Sequence, residues 1–302
     1  MTSAPFGAQL KSFIHELRGE GHLLPTKAGR LIVVDAGLAA EILQVRPAFP
    51  AERTVFKPVP GHDLPIETMK RLASFYSLER LTESFGREVM ELRSPRRALS
   101  SAATMKQLLS PVLTGIEVRY AADMSLDRGE AAFIQRLRTA ILETTTAVVS
   151  SALWFLQKSG GSLASSDTVV LETLRLVPPA WLIPRRLSAD HVGLVDEELI
   201  GQEVFISPLI IHYRSSTFAD PAEFNPGNWV LTNRRSWPSD YCPFGFGRSG
   251  CWFWREVLLI ASTMVEFLRH NSSVMLPRFK SAVIPVSPVL AVAGVRFLGA
   301  SA

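Results

Sequence analysis

The stretch Cys242-Pro243-Phe244-Gly245-Phe246-Gly247-Arg248-Ser249-Gly250-Cys251 constrains this chain more than any other. Three glycines in six residues let the backbone turn tightly and approach a ligand closely. The loop delivers Cys251 to the start of a strongly apolar helix. Unpaired amides and the positive end of a helix dipole favour a thiolate there, the form that binds metals. Taken alone, Cys251 also reads as a buried core thiol, the commoner state of a lone cysteine. Gly245-x-Gly247-x-x-Gly250 formally matches a dinucleotide fingerprint, but Trp237 to Pro243 is no β-branched strand. The acid at the right distance, Glu266, lies inside the following helix, so the nucleotide reading fails on context. Zinc needs grouped Cys and His, and Cys242 and Cys251 have no partner pair at ligand spacing.

The chain has 302 residues, enough for one large domain or two smaller ones, and 47% of them are hydrophobic. Its net charge of +4 is spread over scattered Lys and Arg, so nucleic acid is not implied, whereas an acidic protein partner fits a basic patch. Two cysteines make no disulfide framework, which points to a reducing, cytoplasmic setting. Met1 to Pro5 lacks the charged start of a signal peptide, and the apolar runs read as broken well short of a membrane span.

Apolar spacing predicts helices over 8–19, 37–45, two between 65 and 93, then 103–118 and 129–158. Asp167 is expected to cap a helix from Thr168 to about Leu176, stopped by Pro178 and Pro179. Residues 21–36 read as a hairpin-like strand pair. Trp181–Ile183, Val192–Val195 and Glu203–Ile206 read as a small sheet. Cys251 opens the last long helix, and Ala282 to Leu298 reads as β-like. No internal repeat or clean boundary divides the chain, so it is read as a single domain over 1–302. A small sheet region at about 20–60 precedes a helical body at about 65–302.

Two polar clusters interrupt apolar helices. Glu172 and Arg175 stand three apart on one face, which on a surface is an ion pair worth only a few tenths of a kcal/mol, roughly. On this apolar helix the pair reads as buried, and a buried pair needs further partners to lock local structure. Glu143-Thr144-Thr145-Thr146 lies within the long apolar helix, where acids and hydroxyls are poor helix formers. It reads either as a partly solvated face or as a polar notch facing a cavity.

Phe244-x-x-Gly247-x-x-x-Cys251 resembles the haem-binding loop of the cytochrome P-450 family. Glu172-x-x-Arg175 with Pro178-Pro179 is similar to that family's K helix. Asp220-Pro221-x-x-Phe224-x-Pro226-x-x-Trp229 is similar to the segment between K helix and haem loop. Glu143-Thr144, preceded by Ala140, resembles the I-helix acid–alcohol pair, and His212 also fits. The resemblance covers residues 65 to 270 and implies a mainly α fold with small β-sheets, of cytochrome P-450 type, truncated in the F–G helix region. It implies haem b (iron protoporphyrin IX), with Cys251 as the iron's axial thiolate. Phe244, Gly245, Gly247 and Arg248 would line the cofactor loop, and Arg185 and Arg71 would meet its propionates. Glu143 and Thr144 would steer protons. Lys70, Arg80, Arg248 and Arg255 would form a docking face for a ferredoxin-type electron donor, and a small-molecule substrate would be oxygenated.

The chain departs from the family pattern at four places. Asn228 stands where an arginine completes a triad with Glu172 and Arg175, and Ser249 where a propionate-binding arginine is usual. Phe253 and Ile141 replace glycines. These changes, with the short F–G interval, leave open a non-oxidative enzyme of isomerisation, dehydration or cyclisation, or a non-catalytic haem or ligand binder. Against these stands a compact monooxygenase with an open distal pocket, suited to a large or carrier-bound, secondary-metabolite-type substrate.

Overall fold

The structure, a computed structural model, describes residues 8–17, 19–45, 64–84, 105–121, 125–159, 164–230, 237–247, 250–275, 289–292 and 295–299. Eight α-helices are labelled among the described residues. They are α1 (Ala8–Glu16), α2 (Ala36–Gln44), α3 (Ile66–Ala73), α4 (Met105–Ala121), α5 (Arg128–Lys158), α6 (Ser166–Leu176), α7 (Pro208–Arg214) and α8 (Trp254–Asn271). A further helical stretch covers residues 78–84.

Helix α5 is the central pillar, packed against α4, α6 and α8. It starts with a capping box: the Asp127 carboxylate accepts from the Glu130 amide, and the Glu130 carboxylate accepts from the Asp127 amide. Its second half buries Val148, Val149, Ala152, Leu153 and Phe155, and Phe155 stacks on Phe224 with ring centroids 4.7 Å apart. Each buried Val, Leu or Phe side chain contributes about 1.5–3 kcal/mol. By length and composition α5 could cross a membrane, which corrects the reading that every apolar run is too short. Its apolar window is 72% buried inside the protein, as in a core helix.

A four-stranded sheet holds β1 (Leu23–Pro25), β2 (Leu31–Val33), β3 (Ile183–Arg186) and β4 (Glu203–Ile206) in the order β1-β2-β4-β3. Only the β2–β4 pairing is parallel, with Ile32 opposite Phe205. A second hairpin pairs β5 (Ser272–Met275) with β6 (Arg296–Gly299). Val33, Ile42, Leu43, Val204, Ile206, Ile211 and Cys242 form a separate small core beneath the first sheet. The first residue of the cysteine loop is therefore anchored in the sheet's own core.

Local chemistry moved several boundaries. Ser165, not Asp167, caps α6 by accepting from the Thr168 amide, and Asp167 sits in the first turn. Residues 192–195 make only an isolated bridge, because Gly193 turns the chain at φ 87°. His212 lies on α7, which Ser207 caps and whose first turn Pro208 fits.

Candidate functional site

The core of the site is a buried hydrogen-bond network on α6. The Glu172 and Arg175 side chains are both fully buried. Arg175 Nε donates to Glu172 Oε2 at 2.9 Å and Nη2 donates to Oε1 at 2.8 Å, a bidentate pair. Two further guanidinium hydrogens reach the carbonyls of Pro221 at 2.6 Å and Glu223 at 2.7 Å. Glu172 also accepts from the Asn225 amide at 2.8 Å and from Trp229 Nε1 at 2.9 Å. Asn228 Nδ2 lies 3.3 Å from Glu172 Oε1, so a neutral amide occupies the third corner of the network. This satisfaction of both charges allows the pair to be dry, because a buried ion pair is tolerated only when its remaining donors and acceptors are met. It also stitches the irregular segment 221–229 to α6.

The same helix fixes the start of the cysteine loop. His212 is fully buried; its Nδ1 lies 2.8 Å from the Arg175 carbonyl, and its Nε2 accepts from the Cys242 amide at 2.9 Å. That acceptor role puts the ring proton on Nδ1. Burial depresses the His212 pKa to about 3, so the ring is neutral at physiological pH. Tyr241 stacks on His212 at 5.3 Å and donates to the Leu171 carbonyl at 2.9 Å.

From Cys242 the loop folds back on itself. The Gly245 amide donates to the Cys242 carbonyl at 3.0 Å, and the Cys251 amide donates to the Phe244 carbonyl at 2.8 Å. Gly245 and Gly247 have φ of 76° and 52°, a region that favours glycine. A Cβ on Gly245 would meet Ile183 of β3 and Leu43 of α2, at 3.6 and 3.8 Å. Helix α8 begins at Trp254, three residues after the cysteine. Cys251 therefore does not open the helix, because its amide is spent on Phe244. Desolvation raises the thiol pKa; the Phe253 amide opposes that shift and the Glu256 carboxylate adds to it. The free thiol is thus not pre-ionised, contrary to the helix-dipole expectation. Cys251 is nonetheless exposed, whereas Cys242 is buried.

Arg185, on β3, lines the sheet side. Its guanidinium is largely enclosed; Nη1 donates to the Pro184 carbonyl at 2.7 Å, Nε has no hydrogen-bond partner, and burial lowers its pKa. Arg71 forms an ion pair with Glu130 at the start of α5. Glu143 forms one with Lys106 of α4, and Thr144 Oγ1 donates to the Ala140 carbonyl at 2.6 Å. Thr145 is fully buried with an unpartnered hydroxyl, and Ala140 is exposed. The Glu143–Thr144 pair thus lies on the rim of α5, away from its most buried face. Of the basic residues, Lys70 pairs with Glu67 and Arg255 lies over the Trp254 ring. Arg248 and Ser249 lie outside the described residues. A cleft of about 490 Å³ near the start of α8 is lined by Leu78, Leu171, Trp237, Trp254, Leu258 and Arg255 of the expected docking face, and by none of Cys251, Arg185, Glu143 and Thr144.

Most of this scaffold leaves no signal in the linear sequence. The bridging role of His212, the Tyr241 anchor and the acidic neighbour Glu256 all depend on contacts between segments distant in the chain. A histidine in an otherwise apolar run, Leu209 to Tyr213, was their one visible signal.

Residues 162–252 match the family model for cytochrome P-450. Cyclooctatin synthase from Streptomyces melanosporofaciens is 34% identical over 91 residues, covering 30% of this chain and 20% of the relative. Taxane 10-beta-hydroxylase from Taxus cuspidata is 33% identical over 125 residues, covering 39% and 22%. The matched stretches therefore span about a fifth of the length of those curated relatives. A mutant of P-450 EryK in complex with erythromycin B superposes with a TM-score of 0.69 at 15% identity, over 97% of each chain. The open form of EryK from S. erythraea gives 0.67 at 16% identity, over 97% of this chain and 96% of that one. These structures establish the fold. The segment that matches the cytochrome P-450 family model carries Glu172, Arg175 and Cys251, on a chain whose fold is that of cytochrome P-450 structures.

Proposed function

We propose that this protein is a haem-thiolate monooxygenase that inserts one oxygen atom into an organic substrate, with haem b as its cofactor. The observation that carries this reading is Cys251, the exposed thiol of a loop tied back to the Glu172–Arg175 helix through Cys242 and His212. The residues fit the cofactor on two counts. Arg185 is a half-buried cation with an unpartnered Nε, which suits a propionate carboxylate. The loop presents backbone and glycine beside an accessible thiol, which suits close approach of a flat macrocycle. Arg71 is already neutralised by Glu130, leaving the propionate role to Arg185.

When bound, a thiolate-ligated haem supplies oxygen activation, the thiolate pushing electron density toward O–O cleavage. Cys251 would lose its proton on ligation; the raised thiol pKa means that this step draws on the metal's own affinity for sulfur. Phe244 packs near Trp237, ring centroids 6.1 Å apart, and holds the loop's apolar side. Glu143 and Thr144 would hold and pass protons at the α5 rim, with Lys106 orienting Glu143. Electrons would come from a ferredoxin-type donor, and Ala140's exposure agrees with an open distal side suited to a large or carrier-bound substrate. Reduced protein under carbon monoxide tests the reading. A red-shifted Soret band that vanishes in Cys251→Ala supports it, and well-folded protein that takes up no haem overturns it. Turnover driven by NAD(P)H or peroxide then separates a monooxygenase from a non-oxidative enzyme or a haem carrier.

A further inference from the structure

We infer that His212 is a positioning residue for the cysteine loop, acting through a single acceptor bond from its Nε2 to the Cys242 amide. This rests on the reading of Cys251 as the cofactor ligand only for its functional consequence; the mechanical claim stands without it. The ring spans the end of α6 and the start of the cysteine loop, beside the neighbouring Tyr241–Leu171 hydrogen bond. On one side, Nδ1–H donates to the Arg175 carbonyl at the end of α6; on the other, Nε2 receives the Cys242 amide. Cys242 is also the residue whose carbonyl accepts from Gly245, and Gly245 starts the turn that ends with the Cys251 amide on Phe244. The order of constraint therefore runs from the Glu172–Arg175 network, through Arg175's own carbonyl, to His212, Cys242 and the turn. A neutral ring is required, because an imidazolium has no lone pair to accept with. Full burial of the ring among Tyr241, Cys242 and Arg175 keeps it so.

The two bonds can be separated by substitution. The amide oxygen of Gln reaches about where Nε2 stands, and the amide nitrogen of Asn reaches about where Nδ1 stands. His212→Gln keeps an acceptor for Cys242 and gives up the donor to Arg175; His212→Asn does the reverse. Both lose the ring stacked on Tyr241 and one hydrogen bond, so a role confined to filling the core predicts equal effects. The expected result is unequal. In haem-free protein, hydrogen exchange at the Cys242, Gly245 and Cys251 amides should speed up by about tenfold in His212→Asn at matched global stability, and stay near wild type in His212→Gln. In haem-loaded protein, the reduced carbon monoxide band should shift toward that of a displaced or protonated thiol in His212→Asn alone. Equal exchange rates in the two variants overturn the inference. If either variant fails to fold, nitrogen NMR of the wild type decides: an unprotonated His212 Nε2 at neutral pH is required, and a protonated one refutes the bridge. Wild-type protein that binds no haem would sink the proposed function while leaving the exchange comparison decisive for His212.

Discussion

Glu172→Gln is the sharpest perturbation of this fold. The carboxylate is fully buried and meets Arg175 twice, the Asn225 amide and the Trp229 indole. Gln keeps the shape and removes the charge. Arg175 then remains as a buried cation without a counter-charge, facing only neutral acceptors: the Gln amide oxygen and the Pro221 and Glu223 carbonyls. Breaking a buried pair in this way costs about 3–5 kcal/mol. The new amide also points a donor at one of the existing donors, which adds about 1 kcal/mol or more. Against a domain stability of about 5–15 kcal/mol, a loss near 4 is large. Asn228→Ala is the internal control: its contacts to Glu172 are 3.3 and 3.5 Å long, so removing them should cost about 1 kcal/mol at most. Urea denaturation of haem-free protein measures both, since cofactor binding would otherwise add stability by mass action. A Glu172→Gln variant within about 1.5 kcal/mol of wild type, or an Asn228→Ala variant as damaged as Glu172→Gln, refutes the network as the structure draws it.

Other predictions follow from the loop and its neighbours. Arg185→Leu should weaken haem binding about tenfold or more, the worth of a charge-assisted hydrogen bond, yet leave haem-free stability unchanged or higher because an unpaired cation is no longer buried; haem titration and thermal melts check the two signs. Thiol labelling of haem-free protein should modify Cys251 before the buried Cys242, with a rate still climbing at pH 9 because the Cys251 pKa is raised. Glu256→Gln should speed that labelling at pH 8, since removing a nearby negative charge favours the thiolate. Acid should destabilise the wild type through His212: the unfolded imidazole takes a proton below about pH 6.5 and the folded one only near pH 3, so stability falls as pH drops between them. Melting curves of His212→Gln across that window should show a shallower acid slope.

Several features were readable from one-dimensional patterns because they depend on neighbours in sequence. The 3.6-residue spacing of apolar residues located α5 and α8, and the glycines marked where the loop turns with positive φ. Acid and base three apart on an apolar helix announced a buried pair. Boundaries were less secure where two candidates compete for one cap, as Ser165 and Asp167 do at α6. The electrostatic state of Cys251 was misjudged from position alone: the loop, not the helix, uses its amide, and desolvation outweighs the dipole.

The sequence by itself determined the family resemblance, the helical body and the cysteine that ends the loop, since each is a local pattern of residue types. Only the tertiary structure decided what holds that cysteine. His212 and Arg175 are 37 residues apart, and His212 and Cys242 are 30 apart. Hydrogen bonds across such separations depend on how α6, α7 and the sheet pack together, and no periodicity in the chain encodes which donor will find which acceptor.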